Sequence, residues 1–312
     1  QEPRNGRLLP FVVGLLNRSG TGAKTLLRVP IHDIQNFCRA AGEVTTDAQS
    51  LTLLIQKILD HGAAARPALP VRIEVAPALA QMGESAIDAF TRIACDDACS
   101  DYHRRACLEA VQLLAGPKIC DALLMKLADT SSQGLLWHVV EHLGNRKIAA
   151  AEAILREYRG RVDDAILQAD ATWALGRVSG IEPPVTEEQI CNLLDLLRDG
   201  DSHVRGHTLR SIGRLRLRRA LLSLDSYLAQ TEHPYRWIVA ESITAIGGSA
   251  AAELLDRALA DEDPKVVAAA ADGVSHIRAP LPIQVAARLS SLQIREEWIA
   301  SRSKPLGRIA WE

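Results

Sequence analysis

Aromatic residues are scarce in this chain. Its 312 residues include 3 Phe, 4 Tyr and 5 Trp, or 4% of the total. Large single cores normally draw much of their buried area from such rings. Their shortage points to a thin core of Ala and Leu, repeated along the chain. Long apolar runs are also missing. The longest, near Leu8–Leu16, is about half of the roughly 20 residues that a membrane-spanning helix needs. Charge of one sign is absent as well: 36 Lys and Arg against 38 Asp and Glu leave a net charge of −2. That balance lacks the broad basic field of a non-specific DNA binder. The 47% hydrophobic content in turn excludes a disordered chain.

Six cysteines are present, Cys38, Cys95, Cys99, Cys107, Cys120 and Cys191, mostly within apolar helical patterns. They read as free thiols and point to a reducing cytoplasm. The first residues show no basic start followed by an apolar centre and a small-residue cleavage site. No cofactor is expected from any motif.

What the sequence does contain is a repeat. Apolar segments ending in Gly recur as Ala-Gln-Met-Gly83, Leu-Leu-Ala-Gly116, Glu-His-Leu-Gly144, Trp-Ala-Leu-Gly176, Arg-Ser-Ile-Gly213 and Thr-Ala-Ile-Gly247, and Ser275 takes the place of Gly in the next. The intervals run from 28 to 37 residues and average about 32, the signature of stacked supersecondary units. Each Gly is expected to stop a helix as a left-handed C-cap. An acidic or polar turn and another amphipathic helix precede each of these segments. In the clearest copy, Thr186-Glu-Glu-Gln caps a helix carrying Ile190, Leu193, Leu194 and Leu197. Asp199-Gly-Asp-Ser turns the chain, and Val204-Arg205 opens the second helix. In a later copy, Asp261-Glu-Asp-Pro264 forms the turn.

On Asp201, Val204, Arg205, Ile212 and Gly213, on Val71, Arg72 and Gly83, and on Asp261, Val266 and Val267, the chain resembles the HEAT repeat, especially its bacterial form related to bilin lyases. The resemblance spans about residues 45–290. It implies an all-α fold, a right-handed α-solenoid of about eight HEAT-like helical pairs. The expected pairs are 8–17/31–41, 47–61/70–82, 84–95/101–114, 117–128/132–143, 147–158/162–176, 186–198/202–213, 218–230/233–246 and 249–260/264–277. Residues 1–46 are expected to form N-terminal capping helices and a loop, 47–280 the repeat array, and 281–312 a cap and tail. Ser19-Gly-Thr-Gly-Ala-Lys24 reads as a loop. It lacks the Gly-Lys-Ser/Thr ending of a phosphate loop.

Second helices of such arrays usually line the concave, partner-binding side. Stepping back from each terminal Gly at about 100° per residue places positions −10, −7, −6 and −3 outward. These outward slots hold Trp137, His138 and Glu141, then Asp170 and Trp173, then His203, His207 and Arg210, then Trp237 and Glu241. Three of five Trp thus share one expected stripe, the composition of a protein-binding hot spot. The expected partner is another protein or a peptide. The alternating His and acid residues suggest a solvated groove rather than a metal site, because helices about 8–10 Å apart hardly converge on one ion. Cys95, Cys99, His103 and Cys107 lie four residues apart, but an Asp-rich turn interrupts them, so no metal is expected there.

An arginine ridge, Arg205, Arg210, Arg214, Arg216, Arg218 and Arg219, offers the alternative of anion or nucleic-acid binding. Enzymatic relatives of the fold also provide comparisons. A HEAT hydroxylase of the di-iron type uses His-Glu pairs. This sequence contains no such dipeptide, only Glu141-His142 and Glu232-His233. Nothing distinguishes a bilin lyase, and a HEAT-like DNA glycosylase calls for a basic concave surface. The expectation is therefore a non-catalytic interaction scaffold or a regulatory or sensor module.

Overall fold

A computed structural model describes residues 22–43, 48–65, 75–230 and 235–276. The expected helix at 8–17 and the terminal segment 281–312 lie outside the described residues, as do Val71 and Arg72. Among the described residues the fold is an all-α solenoid of successive helices without strands. The chain divides into two compact units, Gln1–Val139 and Val140–Glu312.

Unit 1 contains α1 (Gly22–Arg28), α2 (Ile34–Glu43), α3 (Ala48–Ala65), α4 (Val75–Ala80), α5 (Ile87–Ala94), α6 (Asp101–Leu114), α7 (Pro117–Leu127) and the first half of α8 (Gln133–Arg146). Gly22 to Lys24 open α1, which corrects the reading of that stretch as loop. The Lys57 ammonium secures this helix by donating to the Leu26 and Leu27 carbonyls, each at 3.0 Å, and to that of Val29, while lying over the Phe37 ring. A cation at a helix C-terminus answers both the orphan carbonyls and the dipole.

The second half of α8 opens unit 2, followed by α9 (Glu152–Arg159), α10 (Ala165–Ser179), α11 (Glu187–Leu196), α12 (Ser202–Arg214), α13 (Leu221–Leu228), α14 (Arg236–Ile246), α15 (Ser249–Ala258) and α16 (Pro264–His276). The expected Thr186 cap is present, with Thr186 and Gln189 forming a reciprocal capping box. Asp164 also accepts from the Leu167 N–H, and Asp201 from the His203 N–H, caps that the sequence reading did not name. Pro117 and Pro264 sit where a helix starts and an N–H is dispensable.

In unit 2 the second helices α10, α12, α14 and α16 stack in order. The core between the two helix layers is aliphatic, with Leu193, Leu197, Leu209, Ile212, Leu224, Ile238, Val239, Ile243 and Leu255 all at most 1% exposed. Ala residues fill the rest, so the core is as poor in aromatics as the composition. Arginines in the first turns of second helices hold the turns. Buried Arg104 donates from Nε to the Ala94 carbonyl, pairs with Asp97 at 2.8 Å and reaches Thr130. Arg236 forms a two-pronged pair with Asp261 at 2.7 and 2.6 Å.

The recurring glycines do something other than expected. Only Gly83 and Gly247 of the six adopt positive φ, at 82° and 69°. Gly144, Gly176 and Gly213 lie inside their helices. At Gly144 a Cβ would stand 2.5 Å from the Trp173 ring and 2.9 Å from Ala174 Cα. At Gly213 it would stand 2.9 Å from Ser242 Cα. Here the absent side chain permits close approach of the next second helix, rather than a left-handed cap.

Candidate functional site

Unit 2 brings together the second helices that carry most of the expected stripe. The stripe is more deeply buried than the rotation argument predicted. Glu141, Asp170 and His207 are 2%, 0% and 3% exposed, and in unit 1 Trp137 and His138 are 7% and 3% exposed. All five are corrected from outward to interior positions. A second helix in the array touches the second helices before and after it as well as its own first helix. Its buried arc is therefore wider than the single apolar side assumed, and it takes in Trp137, His138, Asp170 and His207 at slots −7 and −6 and Glu141 at slot −3. Elsewhere on the stripe His203 is exposed, and Trp173, Arg210, Trp237 and Glu241 are half-buried.

Two arginines one turn apart on α12 each pack against a tryptophan of a neighbouring helix. The Arg210 guanidinium lies 5.9 Å from the Trp237 ring centroid on α14, and that of Arg214 lies 5.2 Å from the Trp173 centroid on α10. Both distances are within cation–π range. The His203 and His207 rings stack at 6.2 Å on α12.

Beneath Trp173 lies a buried ionic cluster that sequence reasoning did not foresee. Arg214 extends from α12 to Glu141 Oε2 on α8 at 2.8 Å and to Asp170 Oδ1 on α10 at 3.1 Å. Its side chain is 6% exposed. Ser211 donates to the same Asp170 oxygen at 2.7 Å. Burial raises the Asp170 pKa above the ordinary aspartate value. Arg214 and Ser211 oppose that rise, and Glu141 adds to it. The only hint in the sequence was the spacing of Arg210 and Arg214, which puts both on one face of α12.

The arginine ridge does not form as one surface. Arg214 is internal, and Arg205 folds back to donate to the Asp199 and Gly200 carbonyls of its own turn. Arg219 pairs with Glu187 across the surface. Arg216 and Arg218 are exposed, Arg216 with a positive φ of 51°.

Chemistry-bearing side chains elsewhere are dispersed. Cys95 ends α5 and Ser100 caps α6, so the turn breaks the four-residue spacing as expected. His103 instead faces Gln56 and Asp60. Among the described residues no group of three or more His, Cys, Asp or Glu is arranged to hold a metal. All six cysteines are free thiols. No helix of the described residues is long and apolar enough to cross a membrane.

Stacked helix pairs, glycines at the contacts and arginines on the turns define a helical-repeat protein. A family model described as HEAT repeats matches residues 190–275, from within α11 to near the end of α16. Among solved structures, human deoxyhypusine hydroxylase in complex with glycerol is similar at 17% identity and a TM-score of 0.34, over 85% of this chain and 96% of that one. No curated protein matches the chain.

Proposed function

We propose that the chain is a non-catalytic interaction scaffold or regulatory module, and that it engages another protein or a peptide on the second-helix face of unit 2. The observation that supports this most is the pair of half-buried tryptophans, Trp173 and Trp237, each held against a guanidinium from α12. Rings already immobilised lose little side-chain entropy on binding, and aromatic and Arg anchors carry much of the energy of protein interfaces. His203, Arg210 and Glu241 supply polar contacts around them. Glu141, Asp170 and His207 support this face from below rather than meeting the partner, and Trp137 and His138, which are buried in unit 1, are not part of it. A nucleic-acid ridge is less favoured because Arg205 and Arg214 are committed to internal partners. Six free thiols suit a cytoplasmic setting.

The test is selection of displayed peptides on the immobilised chain, followed by calorimetry of the selected sequences. Trp237→Ala and Arg210→Ala, each shown to be folded by circular dichroism, are expected to weaken binding about tenfold or more. Failure to enrich any peptide, or equal affinity for wild type and both variants, overturns the reading.

A further inference from the structure

In the Glu141–Arg214–Asp170 cluster one guanidinium bridges two carboxyls, all in the interior of unit 2. The guanidinium sits closer to Glu141, at 2.8 Å, than to Asp170, at 3.1 Å. Asp170 Oδ1 already receives Ser211 and Arg214. Asp170 Oδ2 is buried and has no hydrogen-bond partner. A buried carboxylate oxygen that bears half a negative charge and receives no donor from the protein is among the costliest groups to bury. A neutral carboxyl avoids most of that cost. It places its hydrogen on Oδ2 and leaves Oδ1 free to accept both existing bonds.

We propose that Glu141, Arg214 and Asp170 form a proton-operated latch between three successive second helices, closed while Asp170 carries a proton and loosened when that proton passes to solvent. With Asp170 neutral, Arg214 bridges α12, α10 and α8 while Asp170 adds no charge to the interior. When Asp170 ionises, a second negative group joins Glu141 beside the guanidinium, its Oδ2 without a donor, and the cluster must admit water. The half-buried Trp173, which packs over Arg214 and against Gly144, is the side chain displaced to let water in. The groups acting on Asp170 from the helices packed on it are Arg214 and Ser211 from α12, which favour ionisation, and Glu141 from α8, which opposes it. Burial favours the neutral form and outweighs them.

A carboxyl whose folded-state pKa is raised stabilises the fold below its ordinary value, and that contribution is lost as pH climbs through the raised one. The experiment compares thermal midpoints of wild type and Asp170→Asn, an isosteric neutral mimic, from about pH 4 to about pH 9. The wild-type midpoint is expected to fall progressively below that of Asp170→Asn as pH rises, the two curves converging near the acid end. Parallel curves overturn the latch, as does Asp170→Asn losing ground with rising pH.

A second measurement holds even where that variant does not fold. Tryptophan emission is titrated in wild type and in Trp173→Phe, and the difference isolates Trp173. It should shift to the red with a midpoint above the ordinary aspartate value, and in Glu141→Gln that midpoint should move down. Absence of a transition, or a midpoint unmoved by Glu141→Gln, refutes the coupling.

Discussion

Arg214 reaches past the helix beside its own to meet Glu141 two second helices away, with 2.8 Å between Nη2 and Oε2 and both side chains almost wholly buried. Breaking such a pair from one side leaves an uncompensated interior charge, which costs about 3–5 kcal/mol. Arg214→Met is expected to lower the urea unfolding free energy by about that amount. Glu141→Gln should cost less, because Asp170 remains to receive the guanidinium. Near-neutral behaviour of Arg214→Met in urea unfolding would mean that the bridge contributes nothing to the fold.

Gly144 and Gly213 make a sharper contrast with glycines elsewhere. A Cβ at either would stand within 3.0 Å of the next second helix, with backbone Cα atoms among the groups in the way, whereas a Cβ at Gly200 meets nothing within 4 Å. Gly144→Ala and Gly213→Ala should each destabilise by about 1–3 kcal/mol through forced separation of packed helices. Gly200→Ala should stay within about 0.5 kcal/mol of wild type. Chemical denaturation of the three variants checks the order.

Arg236 and Asp261 meet through two hydrogen bonds, and their side chains are 8% and 9% exposed. Asp261 Oδ1 also accepts from the Asp263 N–H, so the carboxylate organises the turn before α16 as well. Asp261→Asn keeps the turn acceptor but leaves the buried guanidinium without a charge partner. A loss of about 3–5 kcal/mol is expected. Increased amide exchange at the start of α14 and in residues 261–265 would locate the damage.

The thiols should react in a fixed order. Cys191 is exposed, Cys95 and Cys99 are half-buried, and Cys38, Cys107 and Cys120 are buried. Burial, reinforced by Asp33, pushes the Cys38 thiol up to about 12, and burial also raises Cys107. The thiolate is the reactive form. At mildly alkaline pH an aromatic disulfide reagent should therefore label Cys191 first, Cys95 and Cys99 more slowly, and the other three only after denaturation. Early labelling of Cys38 or Cys107, read by peptide mass mapping, would show that these helices open readily.

Much of the repeat architecture was legible because its signals are local. Thr186 and Gln189 are three residues apart and cap one helix, Pro264 starts another, and the apolar spacing of Leu193 and Leu197 is set by the helical turn itself. Gly22 to Lys24 misled because glycine frequency suggests a loop, whereas Lys57, about thirty residues away, supplies the C-terminal cap that holds α1 in place. The stripe was legible only in part. Trp173, His203, Arg210 and Trp237 keep some exposure, while His138, Asp170 and His207 lie in an arc that a single-helix projection counts as open.

By itself the sequence determined that the chain is a repeating all-α array with an aliphatic core, since periodicity, caps and glycine intervals are properties of neighbouring residues. Only the tertiary structure decided what those residues meet. It turned Gly144 and Gly213 from helix stops into contact points, and it drew Arg214 inward from an expected surface ridge. It also joined Glu141, Asp170 and Ser211 around that guanidinium. The physical reason is that burial and ion pairing depend on the neighbours a helix acquires on each flank, and one helix's own sequence carries no record of them.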